Sequence, residues 1–205
     1  MQDYRQTLER QVQERTMALQ QAMWELDRLA TLDGLTQVAN RRRFDSYLMQ
    51  EWQRLARTLQ PLSLILCDVD YFKRYNDHYG HQAGDLCLQM IAQAMDKVAK
   101  RPADLVARYG GEEFAILLSQ TDRAGAEQVA EALRWAVESL AIPHDTSQVS
   151  QFVTMSMGIA TMLPLQHQLP DELIKRADQA LYLAKEQGRD RICHVPSGHV
   201  VAISA

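Results

Sequence analysis

The chain has little cysteine and no long apolar run. Its three cysteines, Cys67, Cys87 and Cys193, are widely separated in a chain of 205 residues, so the sequence predicts neither a disulfide framework nor a cysteine-ligated zinc site. The longest mainly apolar stretches, 62–67 and 114–118, are far shorter than the roughly 20 residues that cross a bilayer. The amino terminus is polar rather than signal-like. We therefore expect a cytoplasmic protein with no membrane contact within this chain, whatever a longer parent protein carries upstream.

An excess of positive charge is also missing. The 22 Lys and Arg residues are outnumbered by 26 Asp and Glu, which gives a formal net charge of -4. This balance argues against a protein that holds nucleic acid on a basic surface. A content of 46% hydrophobic and 23% charged residues is typical of a soluble globular chain and excludes disorder as its main state. A small anionic ligand remains compatible, because a few local cations can hold it.

The first part of the chain, residues 1–32, is predicted to be an amphipathic helix. No proline or glycine occurs between Asp3 and Ala30, and a heptad register places Arg15 and Ala22 at d positions. The other a and d positions are apolar: Leu8, Val12, Leu19, Leu26 and Leu29. This imperfect seam favours an adjustable two-stranded coiled coil between two copies of the chain. The alternative is a helix that packs on its own domain. We expect the helix to end near Asp33 and Gly34.

Helical and strand patterns alternate after that point, which indicates an α/β (α+β) domain with a covered sheet. Four helices are predicted from the apolar faces Phe44 to Leu59, Leu88 to Val98, Val129 to Leu140 and Leu173 to Ala184. Strands are predicted at 62–69, 105–108, 114–118, 152–161 and 191–195. The second and third of these strands are expected to form a hairpin through Gly110 and Gly111.

Two acidic pairs lie at strand ends. Asp68 and Asp70 end the apolar strand 62–69, and Glu112-Glu113 follows the glycine pair. Charges are costly in a buried strand unless they are compensated. Mg²⁺ takes oxygen ligands from one or two carboxylates and completes its shell with phosphate and water, so Asp68 and Glu112 are chemically sufficient. Each pair taken alone is also compatible with a solvated turn.

Five blocks of sequence together resemble the GGDEF diguanylate cyclases. The first runs from Asp68 to Asp85, and the second reads RYGGEEF at Arg108–Phe114, with Glu where the family name has Asp. The others are DGLT with NRR at 33–36 and 40–42, TMSMGIA at 154–160, and ADQALY at 177–182 continuing to Lys185 and Arg189. The blocks stand in family order over roughly residues 31–195. The sequence departs from the commonest pattern at Gly34, Tyr71 and Asp190.

The resemblance implies a nucleotidyl-cyclase-like palm fold over residues 33–197, with a central, mainly antiparallel sheet flanked by helices and a tail at 198–205. It implies that two GTP molecules condense to cyclic di-GMP with loss of two pyrophosphates. Each domain would hold one GTP, so two domains of a homodimer must face one another. The implied cofactor is Mg²⁺, with Mn²⁺ as the alternative. An upstream sensory domain in a longer parent protein is also implied.

The resemblance assigns roles to particular residues. Metal ligands would be Asp68, the Val69 carbonyl and Glu112, while Glu112 or Glu113 would assist deprotonation of the attacking 3′-hydroxyl. Asn76 and Asp85 match the guanine contacts. The phosphate contacts are matched by Lys73, Lys185 and Arg189, the last two spaced by one helical turn. Loop hydrogen bonding accounts for Asp70 and Asp77 as well as ligand contact does, and Cys67 is expected to be a small buried strand residue.

A further pattern, Arg101-Pro-Ala-Asp104, precedes the glycine pair at the spacing of the family's RxxD product-inhibition site. An Arg can bind a phosphate or a guanine edge and an Asp can accept from the guanine amine, so the pair suits a guanine dinucleotide. The alternative is a surface ion pair of little energetic weight. Two rival functions stay open: a catalytically silent receptor of cyclic di-GMP, and a coiled-coil module that only relays a signal.

Overall fold

A computed structural model describes residues 30–165 and 168–195, together with positions 10, 13, 15–17 and 19, which are helical. Most of the predicted coiled-coil seam, including Leu8, Val12, Leu26 and Leu29, lies outside the described residues, as does the predicted tail at 198–205. Leu19, one of the seam residues, is helical and 65% exposed. No helix within the described ranges combines the length and the apolarity that a membrane crossing needs.

The joint between this N-terminal segment and the domain is hydrogen-bonded. The last helical residue is Thr31, close to the predicted end at Asp33. The Asn40 side chain donates to the carbonyls of Ala30 and Leu32 at 3.0 and 3.1 Å, and its Oδ1 accepts from the Arg43 N–H. Asn40 is the N-cap of the next helix, so one side chain fixes both the exit of the first helix and the start of the second.

The domain consists of six strands and five helices within the described residues. The strands are β1 (Ala39–Asn40), β2 (Leu62–Val69), β3 (Asp104–Gly110), β4 (Glu113–Ser119), β5 (Met155–Met162) and β6 (Ile192–His194). The helices are α1 (Arg41–Thr58), α2 (Phe72–Tyr79), α3 (His81–Val98), α4 (Arg123–Glu138) and α5 (Asp171–Glu186).

The strands form one sheet in the order β1-β3-β4-β2-β5-β6. The three central pairings, β3 with β4, β4 with β2 and β2 with β5, are antiparallel, whereas the short outer strands β1 and β6 pair in parallel. The predicted mainly antiparallel sheet is confirmed, and β3 and β4 form the predicted hairpin.

Both faces of the sheet are covered, which explains why β2 reads as a continuous apolar run. Along β2, Ile65 and Cys67 pack in one hydrophobic cluster, and Leu64 and Leu66 pack in another on the opposite face. The first cluster includes residues of α3 and α4, and the second includes residues of α1 and α5. Side chains alternate between the faces of a strand, so a strand buried on both faces has to be apolar throughout.

Several predicted boundaries were wrong. Leu59 is the C-cap of α1 in the left-handed conformation and is exposed, rather than part of the buried face. Helix α4 ends at Glu138, before Leu140. Phe152 makes only an isolated bridge with Pro143, and β5 begins at Met155. The sequence patterns also did not predict β1 or α2, which are too short to show a period.

Candidate functional site

The two acidic pairs meet at one end of the sheet, which we call the ligand end: the end where β2 finishes at Val69, β4 begins at Glu113 and β5 begins at Met155. The antiparallel register places Asp68 directly opposite Glu113. The Val69 N–H donates to the Glu112 carbonyl at 3.4 Å. Strand pairing therefore brings together Asp68 and Glu113, which are more than forty residues apart in the sequence.

Asp68 is a partly buried carboxylate of this end that forms an ion pair. Its side chain is 15% exposed, and its Oδ2 lies 2.8 Å from Lys185 Nζ at the end of α5. Burial raises the pKa of Asp68 to about 6; Lys185 opposes this shift, and the negative charges of Glu112 and Glu113 add to it. One cation therefore does not compensate the three carboxylates, and this end of the sheet can accept further positive charge.

The glycine turn that carries Glu112 is tied to the N-terminal joint. Gly111 has a φ of +54°, a conformation that costs glycine little. Its carbonyl accepts from Arg108 Nε at 2.8 Å, and Arg108 Nη1 donates to Asp33 Oδ1 at 3.2 Å. Asp33 also accepts from the N–H and hydroxyl of Thr36. Arg108 thus links the end of the N-terminal segment to the acidic turn.

The donors at the ligand end fit a hard cation that brings ligands of its own. Carboxylates of Asp68, Glu112 and Glu113 and the backbone of Val69 offer oxygen donors only. Within the described residues, no group of three or more His, Cys, Asp or Glu side chains is placed to hold a metal ion alone. An ion there therefore takes part of its shell from water or from a ligand, as Mg²⁺ does beside phosphates.

Helix α2 starts beside this acidic end with unsatisfied donors. Its N-cap, Tyr71, is in the left-handed conformation with φ 55°, and no side chain caps the first turn. The N–H groups of a first helical turn lack partners inside the helix, and the helix dipole favours an anion there. Lys73 lies exposed in this turn. The turn can therefore bind phosphate oxygens.

Arg189 lies close to the same turn, but not by the predicted helical spacing. Helix α5 ends at Glu186, and Arg189 has a φ of +63° in the following turn. Its guanidinium stacks on the Tyr71 ring at 4.5 Å from the centroid, and Nη1 donates to the Tyr71 hydroxyl at 3.4 Å. The carboxylate of Asp190, the next residue, pairs with Arg134 at 3.0 Å rather than with Arg189.

Asp70 organises this region without pointing to solvent. It is 1% exposed and accepts from the hydroxyls of Thr154 and Ser156, at 2.8 and 2.6 Å, and from the Asp190 N–H at 3.1 Å. Burial raises the pKa of Asp70, and these hydrogen bonds oppose the shift. Loop hydrogen bonding, the interpretation that the sequence left open, thus accounts for Asp70. Its role in holding the turn at 189–190 was not predicted.

The two predicted guanine contacts lie where α2 packs on α3. A Cβ added to Gly84 would lie 1.9 Å from Asn76 Oδ1, so only glycine allows this close approach. Asn76 Oδ1 is buried without a hydrogen-bond partner among the described residues. Asp85, the next residue along α3, is exposed. This junction contains an amide with an unpartnered oxygen and, one residue after Gly84, an exposed carboxylate.

The RxxD residues lie at the opposite end of the sheet, which we call the closed end: the end where Leu62, Ser119 and Asp104 lie in neighbouring strands. Arg101 donates to the Thr121 hydroxyl at 3.3 Å and makes no ion pair with Asp104 within 4 Å. Asp104 Oδ1 is buried and unpartnered among the described residues, and burial raises the pKa of Asp104 against the opposing charge of Arg101. The surface ion pair, which was the alternative interpretation of these two residues, is therefore not formed.

This geometry defines a class: an α/β domain whose sheet ends in an acidic, cation-accepting site next to an anion-binding helix turn, as a metal-bound nucleotide requires. Comparison with known proteins makes the assignment specific. Residues 30–191 match the family described as "Diguanylate cyclase, GGDEF domain", and the chain belongs to this GGDEF family.

Relatives and solved structures agree with that assignment. The chain is 35% identical to diguanylate cyclase A of Treponema denticola over 82% of this chain and 45% of that protein. It is 40% identical to diguanylate cyclase DgcP of Pseudomonas aeruginosa over 80% of this chain and 24% of that protein. It therefore spans less than half of either relative. The coiled coil and GGDEF domain of DgcB from Caulobacter crescentus, solved in complex with c-di-GMP, superposes with a TM-score of 0.80 at 31% identity, covering 89% of this chain and 95% of that one.

Proposed function

We propose that this domain is a diguanylate cyclase that condenses two GTP molecules into cyclic di-GMP and releases two pyrophosphates. The observation that carries the proposal is the ligand end, where Asp68 and Glu113 are register partners on paired strands. Among the described residues, Lys185 is the one cation that forms an ion pair with Asp68. A structural site would satisfy its own charges. An excess of partly buried negative charge beside a turn that can bind phosphate favours a ligand that arrives with a metal.

The nucleotide would lie across α2. Its guanine would contact Asn76 and Asp85, because a carboxylate accepts from the N1–H and amine that guanine has and adenine lacks. Its phosphates would contact Lys73, Lys185 and Arg189 and the uncapped N–H groups of α2. This arrangement is supported by the positions of Tyr71 and Arg189, whose stacking brings a guanidinium to the start of the helix.

The proposed metal ligands are Asp68, the Val69 carbonyl and Glu112, and Mg²⁺ is the proposed ion. When bound, such an ion supplies Lewis-acid stabilisation of charge on the phosphates. Glu112 or Glu113 would take the proton from the 3′-hydroxyl. The O3′–Pα bond then forms as the bond from Pα to pyrophosphate breaks, and the same exchange in the opposite direction closes the ring.

The reaction needs two domains, because each is proposed to hold one GTP. We propose that the N-terminal segment brings them together as a homodimer. Leu19 supports this step, since a helical leucine on the predicted seam is 65% exposed in the single chain. Pairing would bury such a residue and raise the effective concentration of one site near the other.

We propose that Arg101 and Asp104 bind the product and inhibit the enzyme. The buried, unpartnered Asp104 Oδ1 supports this role, because a polar atom without a partner costs free energy until a ligand donor reaches it. Arg101, exposed and free of any ion pair with Asp104, is available to a phosphate or to a guanine edge.

The test is to incubate the purified protein with GTP and Mg²⁺ and to detect cyclic di-GMP by mass-resolved chromatography, with and without added product. We expect synthesis that slows as product is added, and an Arg101→Ala variant that keeps the initial rate but loses the inhibition. Absence of product at high protein concentration would contradict the cyclase proposal. Binding of cyclic di-GMP without synthesis would favour the silent receptor instead.

A further inference from the structure

The loop 143–151, between α4 and β5, contacts the phosphate-binding turn, and no sequence motif singled it out. His144, Asp145, Thr146 and Gln148 each hydrogen-bond to a residue of the segment Tyr71–Tyr79: the Tyr71 carbonyl at 3.3 Å, the Tyr79 hydroxyl at 3.0 Å, the Arg74 carbonyl at 3.4 Å and the Tyr71 hydroxyl at 3.2 Å, in that order. Four hydrogen bonds therefore join loop 143–151 to helix α2 and to Tyr71, the residue that caps it.

His144 is the buried member of this loop. It is 1% exposed, and its backbone is fixed by its N–H donating to the Gln151 carbonyl and its carbonyl accepting from the Ser147 N–H. The ring packs edge-on against Tyr75, with centroids 5.3 Å apart. A carbonyl can only accept, so Nε2 carries the hydrogen and donates to the Tyr71 carbonyl. Burial lowers the pKa of His144, which favours the neutral ring.

The hydrogen bond from His144 helps to hold the Tyr71 peptide group in an unfavourable backbone conformation. Tyr71 is a non-glycine residue in the left-handed conformation, which costs on the order of 1 kcal/mol and persists only where neighbours hold it. Its carbonyl begins the hydrogen bonding of α2 by accepting from the Tyr75 N–H. The angle of that peptide therefore sets the direction of the first N–H groups of the helix.

The Tyr71 side chain also contacts both Arg189 and loop 143–151. Its ring lies between the guanidinium groups of Arg189 and Arg74, at 4.5 and 4.9 Å from the centroid, and its hydroxyl donates to Gln148. Loop 143–151 thus holds Tyr71 at both its carbonyl and its hydroxyl. Two groups of phosphate ligands, the N–H donors of α2 and the Arg189 guanidinium, depend on the position of this one residue.

We propose that His144 is a positioning residue for triphosphate binding: by holding the Tyr71 carbonyl, it fixes the cap of α2 and the stack that places Arg189. This inference rests on the proposed binding of GTP at the ligand end. It concerns the phosphate half of that site and not the guanine half, because Asn76 and Asp85 have no contact with loop 143–151 among the hydrogen bonds described.

The test compares His144→Leu with His144→Gln, two variants of similar side-chain volume of which only Gln can donate to the Tyr71 carbonyl. Titration calorimetry with Mg²⁺ would measure Kd for a non-hydrolysable GTP analogue and for GMP, alongside Tm. We expect His144→Leu to weaken the GTP analogue about tenfold, which is about 1.4 kcal/mol, while the affinity for GMP changes less than twofold. His144→Gln should recover most of the affinity for the analogue.

Two further variants complete the design. Gln148→Ala, at an exposed position, should produce a smaller loss of the same triphosphate-selective kind and decides the matter if His144→Leu does not fold. His194→Gln, an exposed histidine on β6, should match the wild type. Equal affinities in all variants, or a parallel loss for GTP analogue and GMP, would overturn the proposal. Failure of the wild type itself to bind the analogue would instead contradict the proposed function.

Discussion

The two ends of the central sheet treat a buried carboxylate in opposite ways. At the closed end, Glu51 of α1 is 4% exposed, and its carboxylate accepts from Arg54 at 2.9 and 2.6 Å and from the Ser119 hydroxyl at 2.6 Å. The Arg54 hydrogen bonds, followed by that of Ser119, hold the pKa of Glu51 below its ordinary value. At the ligand end, burial raises the pKa of Asp68 to about 6 although Lys185 contacts it.

This difference separates a carboxylate that serves the fold from one that we propose binds a ligand. Both carboxylate oxygens of Glu51 accept hydrogen bonds from the protein, three in all, so its charge stabilises the folded state. Asp68 shares one lysine with two nearby glutamates, so its charge is destabilising until another cation arrives. Both residues are carboxylates, and Asp68 is the more exposed of the two, with 15% of its side chain accessible against 5% for Glu51. The number of compensating donors is the difference that separates their pKa shifts.

The largest expected effect comes from removing charge at the ligand end. Glu112→Gln should lower turnover at least about a thousandfold, because it removes both a proposed metal ligand and a proposed proton acceptor, while Tm stays near that of the wild type. The matched variant at the closed end, Glu51→Gln, should keep kcat in its folded fraction. Initial rates of cyclic di-GMP formation and thermal melts would measure both. Substantial turnover in Glu112→Gln would remove this residue from the reaction.

A smaller effect is expected from Gly84→Ala at the ligand end. The added Cβ would overlap Asn76 Oδ1 at 1.9 Å, so the Asn76 amide has to move from its place beside Asp85. We expect KM for GTP to rise about tenfold with a smaller change in kcat, because one base contact is worth about 1–2 kcal/mol. Gly34→Ala is the control, since no atom of the described residues lies within 4 Å of a Cβ at Gly34. An unchanged KM in Gly84→Ala would place guanine elsewhere.

The stability of the metal-free protein should respond in opposite directions at the two ends. At pH 7.5 in chelator, Asp68→Asn should raise the free energy of unfolding by about 1 kcal/mol or more, since it removes a charge that the fold does not compensate. Glu51→Gln should lower it by about 1–2 kcal/mol, because Arg54 and Ser119 lose their charged partner. Denaturant titrations would measure both differences. Two changes of the same sign would contradict the comparison.

The pH dependence sharpens the same contrast. The pKa of Asp68 is raised in the folded state, so its stabilising contribution is fully present below pH 3.8 and is lost as the pH rises through about 6. The pKa of Glu51 is lowered, so its contribution is present above pH 4.5 and is lost as the pH falls below that value. In chelator, the stability gap between Asp68→Asn and the wild type should therefore widen from about pH 4 to 7. A gap that is constant over this range would contradict the raised pKa.

Periodicity predicted the fold where elements are long and buried on a definite face. The apolar run 62–69 is β2 residue for residue, and the glycine pair lies in the β3–β4 hairpin. Two short elements were missed. Strand β1 has two residues and helix α2 has eight, which is too few for either element to show its period in the sequence. Leu59 was misplaced because the pattern cannot show that the chain turns to the left-handed conformation one residue past α1.

The motifs predicted which residues form the candidate site, and those assignments stay predictions; the contacts that support the site were not predicted. Asp68 and Glu113 are brought together by the pairing of β2 with β4, two strands that are not consecutive in the chain. By contrast, the contacts of Asp70 with Thr154 and of His144 with Tyr71 join residues more than seventy positions apart in loops. Such contacts depend on the packing of the whole domain, so they cannot be predicted from residue type alone. The left-handed turn at Arg189 is set in the same way by the Asp70 carboxylate.

The central claim is that the ligand end is left uncompensated for a nucleotide that arrives with its metal. Titration calorimetry of a non-hydrolysable GTP analogue, with Mg²⁺ and with chelator, tests it most directly in the wild type, Asp68→Asn and Glu51→Gln. The account predicts binding that requires Mg²⁺ in the wild type and in Glu51→Gln, and at least tenfold weaker binding in Asp68→Asn. Binding of equal strength without Mg²⁺, or in Asp68→Asn, would contradict it.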